Sequence, residues 1–136
     1  WLWKGSLACV DGWTGVRCIN DRVMELDLSH FGLSGYLSEE LSKMSSLEIL
    51  KLEGNGFNGR LPETWGQIRT LKHLNLSDNS IGGKHPPSKE INGNPGSGVL
   101  PAEWGSLTEL EVLDVSGNRL VGELPYHWSK LSNLRS

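Results

Sequence analysis

No apolar run of about 18 residues or more occurs in the chain, so no segment is long enough to cross a membrane as a helix. Charge of one sign is lacking as well. There are 13 Lys and Arg against 16 Asp and Glu, a net charge of −3, and no basic run or basic-aromatic stripe to suit a nucleic acid. Cysteine is scarce: Cys9 and Cys18 stand alone, with no nearby His pair to complete a zinc set, so no metal and no cofactor is expected. A phosphate loop and a Gly-x-Ser-x-Gly elbow are both missing. His30, His73, His85 and His127 follow no common spacing, and no catalytic set emerges; the chain is not expected to be an enzyme. It begins at Trp1 without a signal-peptide pattern. The expectation is a piece of a longer protein, with any secretion signal or membrane anchor outside it.

Glycine and regular leucine are plentiful, and residues 47–70 show why. Leu47, Leu50 and Leu52 fall to one side of a short alternating run, with Ile49, Lys51 and Glu53 on the other, as in a half-buried strand. Gly54-Asn55-Gly56 interrupts it. Phe57, Leu61, Trp65 and Ile68 then face inward from a return segment of loop and short helix. This 24-residue unit recurs. Residues 23–46 form one copy, a third opens at Leu71, another covers 110–133, and a further one opens at Leu134. The turn Asn recurs at Asn55, Asn79, Asn94 and Asn118, and a Gly follows each by four residues, at Gly59, Gly83, Gly98 and Gly122. Leu-Pro-x-x-Trp recurs with Trp65, Trp104 and Trp128. One such unit cannot bury its own apolar edge, so the copies must stack.

The pattern L-x-x-L-x-L-x-x-N-x-x-x-G-x-L-P resembles the plant-type leucine-rich repeat. The resemblance runs from about Val23 to the end. It implies a right-handed α/β solenoid, with a parallel sheet on the concave face and loops and short 3-10 or α turns on the convex face. Residues 13–18, Trp-x-Gly-Val-x-Cys, resemble the N-terminal cap of the same proteins. The organisation implied is a cysteine-containing cap at 1–22 and about five repeats at 23–136, irregular at 84–98 and open at the C-terminal end. Leu-Pro-x-x-Trp resembles the leucine-rich surface antigens of trypanosomatid parasites more closely than plant receptors, whose repeats usually carry Ile-Pro-x-x-Leu. Plant receptors rank second. From spacing alone, Cys9 and Cys18 are compatible with a small closed loop or with two reduced thiols; the extracellular cap they resemble implies a disulfide.

The frame breaks after Gly83. Residues 84–98 read either as an inserted surface loop or as part of a fourth, damaged repeat with a strand at 89–91. The second alternative would place Ser88, Glu90 and Asn92 on the concave face. The loop is preferred, because Pro86 and Lys89 stand where the frame wants leucines.

In this frame the outward strand positions line one polar surface, and Asp27, Lys51, Glu53, His73, Asn75 and Asp114 are the candidate ligand-binding residues. Asp27 and Asp114 hold equivalent places several strands apart, too far for a paired-carboxylate site. Asn75-Leu76-Ser77 is an N-glycosylation sequon. The Trp and Asn columns read as core and as turn-binding amides, in preference to a sugar platform and a polar binding stripe. The resemblance implies a non-catalytic extracellular recognition or adhesion module on a cell surface, binding a protein or glycan. Its rivals are a secreted enzyme inhibitor and the regulatory repeat region of a larger signalling enzyme.

Overall fold

The computed structural model describes Cys9, residues 12–82 and residues 98–136. The leucine pattern produces a stack of coils, each with one strand of a main sheet. After a cap strand β1 (Val16–Ile19), these are β2 (Arg22–Asp27), β4 (Ile49–Lys51), β6 (His73–Asn75) and β8 (Val112–Asp114). β1 runs antiparallel to β2; the other pairs are parallel, in the order β1-β2-β4-β6-β8. Asn20 and Asp21, with φ of 52° and 61°, make the two-residue turn between β1 and β2, a backbone pair that suits the twist of a hairpin. Cys9 is bonded to Cys18 on β1, with Cα atoms 5.8 Å apart, which ties the cap to the sheet.

Each return segment carries a 3-10 helix: η1 (Glu39–Lys43), η2 (Glu63–Gln67), η3 (Ala102–Ser106) and η4 (Tyr126–Lys130). The core lies between sheet and helices. Leu26, Leu50, Leu74, Leu52, Leu76, Phe57, Ile81, Trp65 and Trp104 are all buried. The indoles of Trp65, Trp104 and Trp128 stack face to face, with centroids 6.2 and 6.3 Å apart. Each indole N–H donates to a carbonyl of the preceding coil, on Ser38, Pro62 and Pro101 respectively. A buried Trp thus fills volume and satisfies its polar atom at once.

The asparagines act as turn-binding amides. Asn79 Nδ2 donates to the carbonyls of Leu52, Leu76 and Ser77, while its Oδ1 accepts from the Phe57 N–H. Asn55 and Asn118 repeat the arrangement one coil away on either side.

One feature departs from expectation and a second follows the preferred alternative. The run after the turn Asn is extended rather than loop: β3 (Ser34–Tyr36), β5 (Gly56–Gly59) and β7 (Ser80–Ile81) form a second parallel sheet. Gly, Ser and Asn are weak strand formers, but stacked identical coils bring the same extended backbone side by side and the ladder closes regardless. The second feature is the break. β6 pairs directly with β8, His73 opposite Val112 and Asn75 opposite Asp114. The Trp stack likewise runs straight from Trp65 to Trp104. This is the pairing of the insertion alternative. The candidate strand at 89–91, with Ser88, Glu90 and Asn92, lies outside the described residues.

Candidate functional site

The open face of the main sheet is built from outward side chains in three columns. Strand register sets Glu25, Ile49, His73 and Val112 in one column and Asp27, Lys51, Asn75 and Asp114 in the next. Ser29, Glu53, Ser77 and Ser116 follow just beyond the strand ends, where the coil-to-coil backbone bonds continue from His30 N–H to the Glu53 carbonyl and from Asp78 N–H to the Ser116 carbonyl. All six candidate residues therefore share one surface: four in a single column, His73 and Glu53 in the columns beside it.

Three members of the central column are held by the residue two positions on. Asp27 Oδ1 accepts from the Ser29 hydroxyl at 2.6 Å and the Ser29 N–H at 3.1 Å. Asn75 Oδ1 accepts the same pair from Ser77, and Asp114 Oδ1 from Ser116. These local bonds fix the carboxylates on the surface. The Ser29 hydroxyl holds the Asp27 carboxyl below its ordinary range; burial opposes this, and the Ser29 N–H and the charges of Lys51 and His30 reinforce it. Asp114 is lowered likewise, first by the Ser116 hydroxyl, then by its N–H, with a contribution from His73.

Among the described residues, no ion pair engages Asp27, Lys51 or Asp114. Glu25 differs: Arg17 on β1 closes on it at 2.9 Å. Sequence reasoning missed this pair, because Arg17 belongs to the cap and follows no repeat frame. Glu53 Oε2 is buried without a hydrogen-bond partner among the described residues. No three His, Cys, Asp or Glu side chains gather as metal ligands among those residues, and no helix there is long and apolar enough to cross a membrane.

Hollows border the described residues of the solenoid, two of them near the elements already named. One of about 240 Å³ lies at the cap end of the sheet face, against Gly15, Arg17, Glu25 and Asp27. The other, about 400 Å³, lies between η3 and η4, bordered by Arg69, Glu103, Thr108, His127 and Lys130. It holds none of the six candidates and mixes charges without order. The sheet face is the better site, because its side chains are aligned by backbone register.

The Leucine Rich repeat family model matches residues 67–84, and a second Leucine Rich Repeat model matches 46–68 and 109–131. A probable leucine-rich repeat receptor-like protein kinase of Arabidopsis thaliana is 43% identical over 54 residues, 39% of this chain and 6% of that protein. The Arabidopsis protein MALE DISCOVERER 2 is 47% identical over 45 residues, 33% of this chain and 7% of its own length. The chain thus spans under a tenth of these relatives, and the part it matches is their repeat region, which is not catalytic. Among solved structures, the Arabidopsis BIR2 ectodomain superposes with a TM-score of 0.77 at 28% identity, over 98% of this chain and 64% of that one. A chain of the Arabidopsis BIR3–SERK2 complex gives 0.75 at 31%, over 90% and 59%. The structure of PEPR1 with AtPEP1 gives 0.79 at 31%, over 99% and 17%.

The relatives found are plant proteins, receptor-like kinases and receptor ectodomains together with an ice-binding protein, and none of them supports the resemblance to trypanosomatid antigens. The reason lies in the core. Trp65, Trp104 and Trp128 form an inward stack, so Trp in place of Leu there answers to packing and does not report lineage.

Proposed function

We propose that this plant-type leucine-rich-repeat solenoid is a non-catalytic recognition module of a cell-surface receptor, facing the extracellular side and binding a protein or peptide through its concave sheet. The observation that carries the reading is the column Asp27, Lys51, Asn75, Asp114, in which charged groups are held outward in register yet none is ion-paired among the described residues. The Cys9–Cys18 bond agrees with an oxidising compartment. So does the kind of neighbour: the BIR2 and SOBIR1 structures are ectodomains, and PEPR1 is solved with AtPEP1. Membrane attachment would come through an anchor outside these residues.

The test is to pan a displayed peptide library against the wild-type chain and against Val112→Trp, which puts an indole on the open face. Binders to the wild type that fail on a folded Val112→Trp support the reading. Binders indifferent to the substitution place recognition elsewhere and overturn it.

The sequon at Asn75 motivates a second reading, in which the face carries a glycan. A sugar there excludes a ligand lying across the column, so the two are alternatives. Intact mass of the chain from a secreting plant host decides between them: an unmodified Asn75 agrees with ligand binding, and a glycan on it overturns ligand binding at this column.

A further inference from the structure

The charge order along the central column specifies what a ligand must look like. Reading across the sheet, it is acid at Asp27, base at Lys51, amide at Asn75 and acid at Asp114. His73 stands beside Asn75 and adds a second donor near the middle. Arg17 pairs with Glu25, so the first column adds no free acid at the cap end. Only Oδ1 of each Asp is engaged by its Ser; Oδ2 makes no hydrogen bond among the described residues. The central column therefore offers a free acceptor at each end and donors between them.

Spacing turns this order into a length. Parallel strands lie about 4.8 Å apart, which sets Asp27 and Asp114, three strands apart, about 14 Å from each other. An extended peptide advances about 3.4 Å per residue, and its residues i, i+2 and i+4 share one face. Residues i and i+4 are then also about 14 Å apart, and residue i+2 falls about 7 Å along, between Lys51 and the Asn75–His73 pair.

We propose that the ligand of this face is an extended peptide with cationic residues at i and i+4 and a carboxylate at i+2, laid across the strands from Asp27 to Asp114. This rests on the function proposed above. The end cations meet the Asp Oδ2 atoms, and the central carboxylate sits among Lys51, Asn75 Nδ2 and His73. A peptide of inverted charge meets repulsion at each of the three places, so the column rejects it as well as failing to bind it.

The structure also supplies a clean control. Asn75 accepts the same two bonds from Ser77 that Asp27 and Asp114 accept from their serines. Asp27→Asn and Asp114→Asn therefore remove charge while leaving the local turn intact.

The experiment compares two capped nonapeptides by calorimetry at low salt: Gly-Gly-Lys-Ala-Glu-Ala-Lys-Gly-Gly and its inversion, Gly-Gly-Glu-Ala-Lys-Ala-Glu-Gly-Gly. Each exposed charge contact contributes little, but three of matched sign give the first peptide an advantage of roughly tenfold. That advantage is expected to vanish in the double variant Asp27→Asn with Asp114→Asn, and to shrink with salt. Equal binding of the two peptides, no binding of the first, or an advantage that survives in the double variant overturns the inference. The library result separates the two levels. Binders that depend on an open Val112 but show no such charge order leave the proposed function standing and remove this one.

Discussion

At the scale of single residues, the serines two places after Asp27 and Asp114 set the acid–base behaviour of the face. Because the folded-state pKa of Asp27 is depressed, the stabilisation from its ionised form is fully present above the ordinary carboxylate pKa. It is lost as pH falls through the depressed value. Ser29→Ala removes the hydroxyl that contributes most. The expected outcome is an upward move of the Asp27 pKa in an NMR titration of its carboxyl carbon, with a shallower loss of stability in acid. An unmoved pKa would show that the charges of Lys51 and His30 govern instead. Gly66 illustrates a different single-residue constraint. A Cβ built there comes 2.4 Å from the Glu103 carbonyl oxygen of the next coil. Gly66→Ala must push η2 and η3 apart, and is expected to cost about 1–3 kcal/mol in denaturant unfolding. Loss near zero would mean that the coils part easily at that point.

Between elements, what repeats is a set of bonds as much as a set of side chains. Trp104 is fully buried between two other indoles and holds Pro62 through its N–H. Trp104→Ala is expected to destabilise by roughly 3–5 kcal/mol. Trp128 is only partly buried and stacks on one side, so Trp128→Ala should cost less. Equal costs, read from denaturant midpoints, would mean the stack contributes no more than separate side chains. The leucine, asparagine and tryptophan columns are legible in the chain because burial forces the same residue types at the same step. The second sheet is not legible, since Gly56, Asn58 and Ser80 carry no strand signal and pair only because the coils above and below hold them parallel. Membership of the candidate face follows from the frame. Which charges on that face are already satisfied does not: Arg17 reaches Glu25, in the column beside Asp27, across a hairpin that no repeat announces.

At the scale of the whole molecule, the question is how the stack closes across residues 83–97, which lie outside the described residues. The flanking residues answer it. A Cβ built on Gly82 comes 2.9 Å from the Gly98 Cα, so the two backbones are in contact. Both have positive φ, 90° and 93°, a conformation that glycine adopts without strain. The second ladder carries on through both: Gly82 N–H donates to the Gly59 carbonyl, and Val121 N–H donates to the Gly98 carbonyl. Residues 71–82 and 98–109 together make 12 plus 12, a complete 24-residue coil. The stack thus continues from Gly82 to Gly98 as if they were neighbours in sequence, where a trans peptide would set their Cα atoms about 3.8 Å apart. Deleting 83–97 and joining Gly82 to Gly98 is expected to leave the fold, the Trp stack and the Asp27–Asp114 column in place. Closing a loop of this length costs about 2 kcal/mol of chain entropy by the usual scaling, so the shortened chain should unfold at equal or higher denaturant. Its peptide preference should match that of the parent, since no member of the column is removed. A deletion variant that fails to fold would show that 83–97 supports the coils it joins. One that folds but loses the charge preference would mean that the segment is part of the binding face.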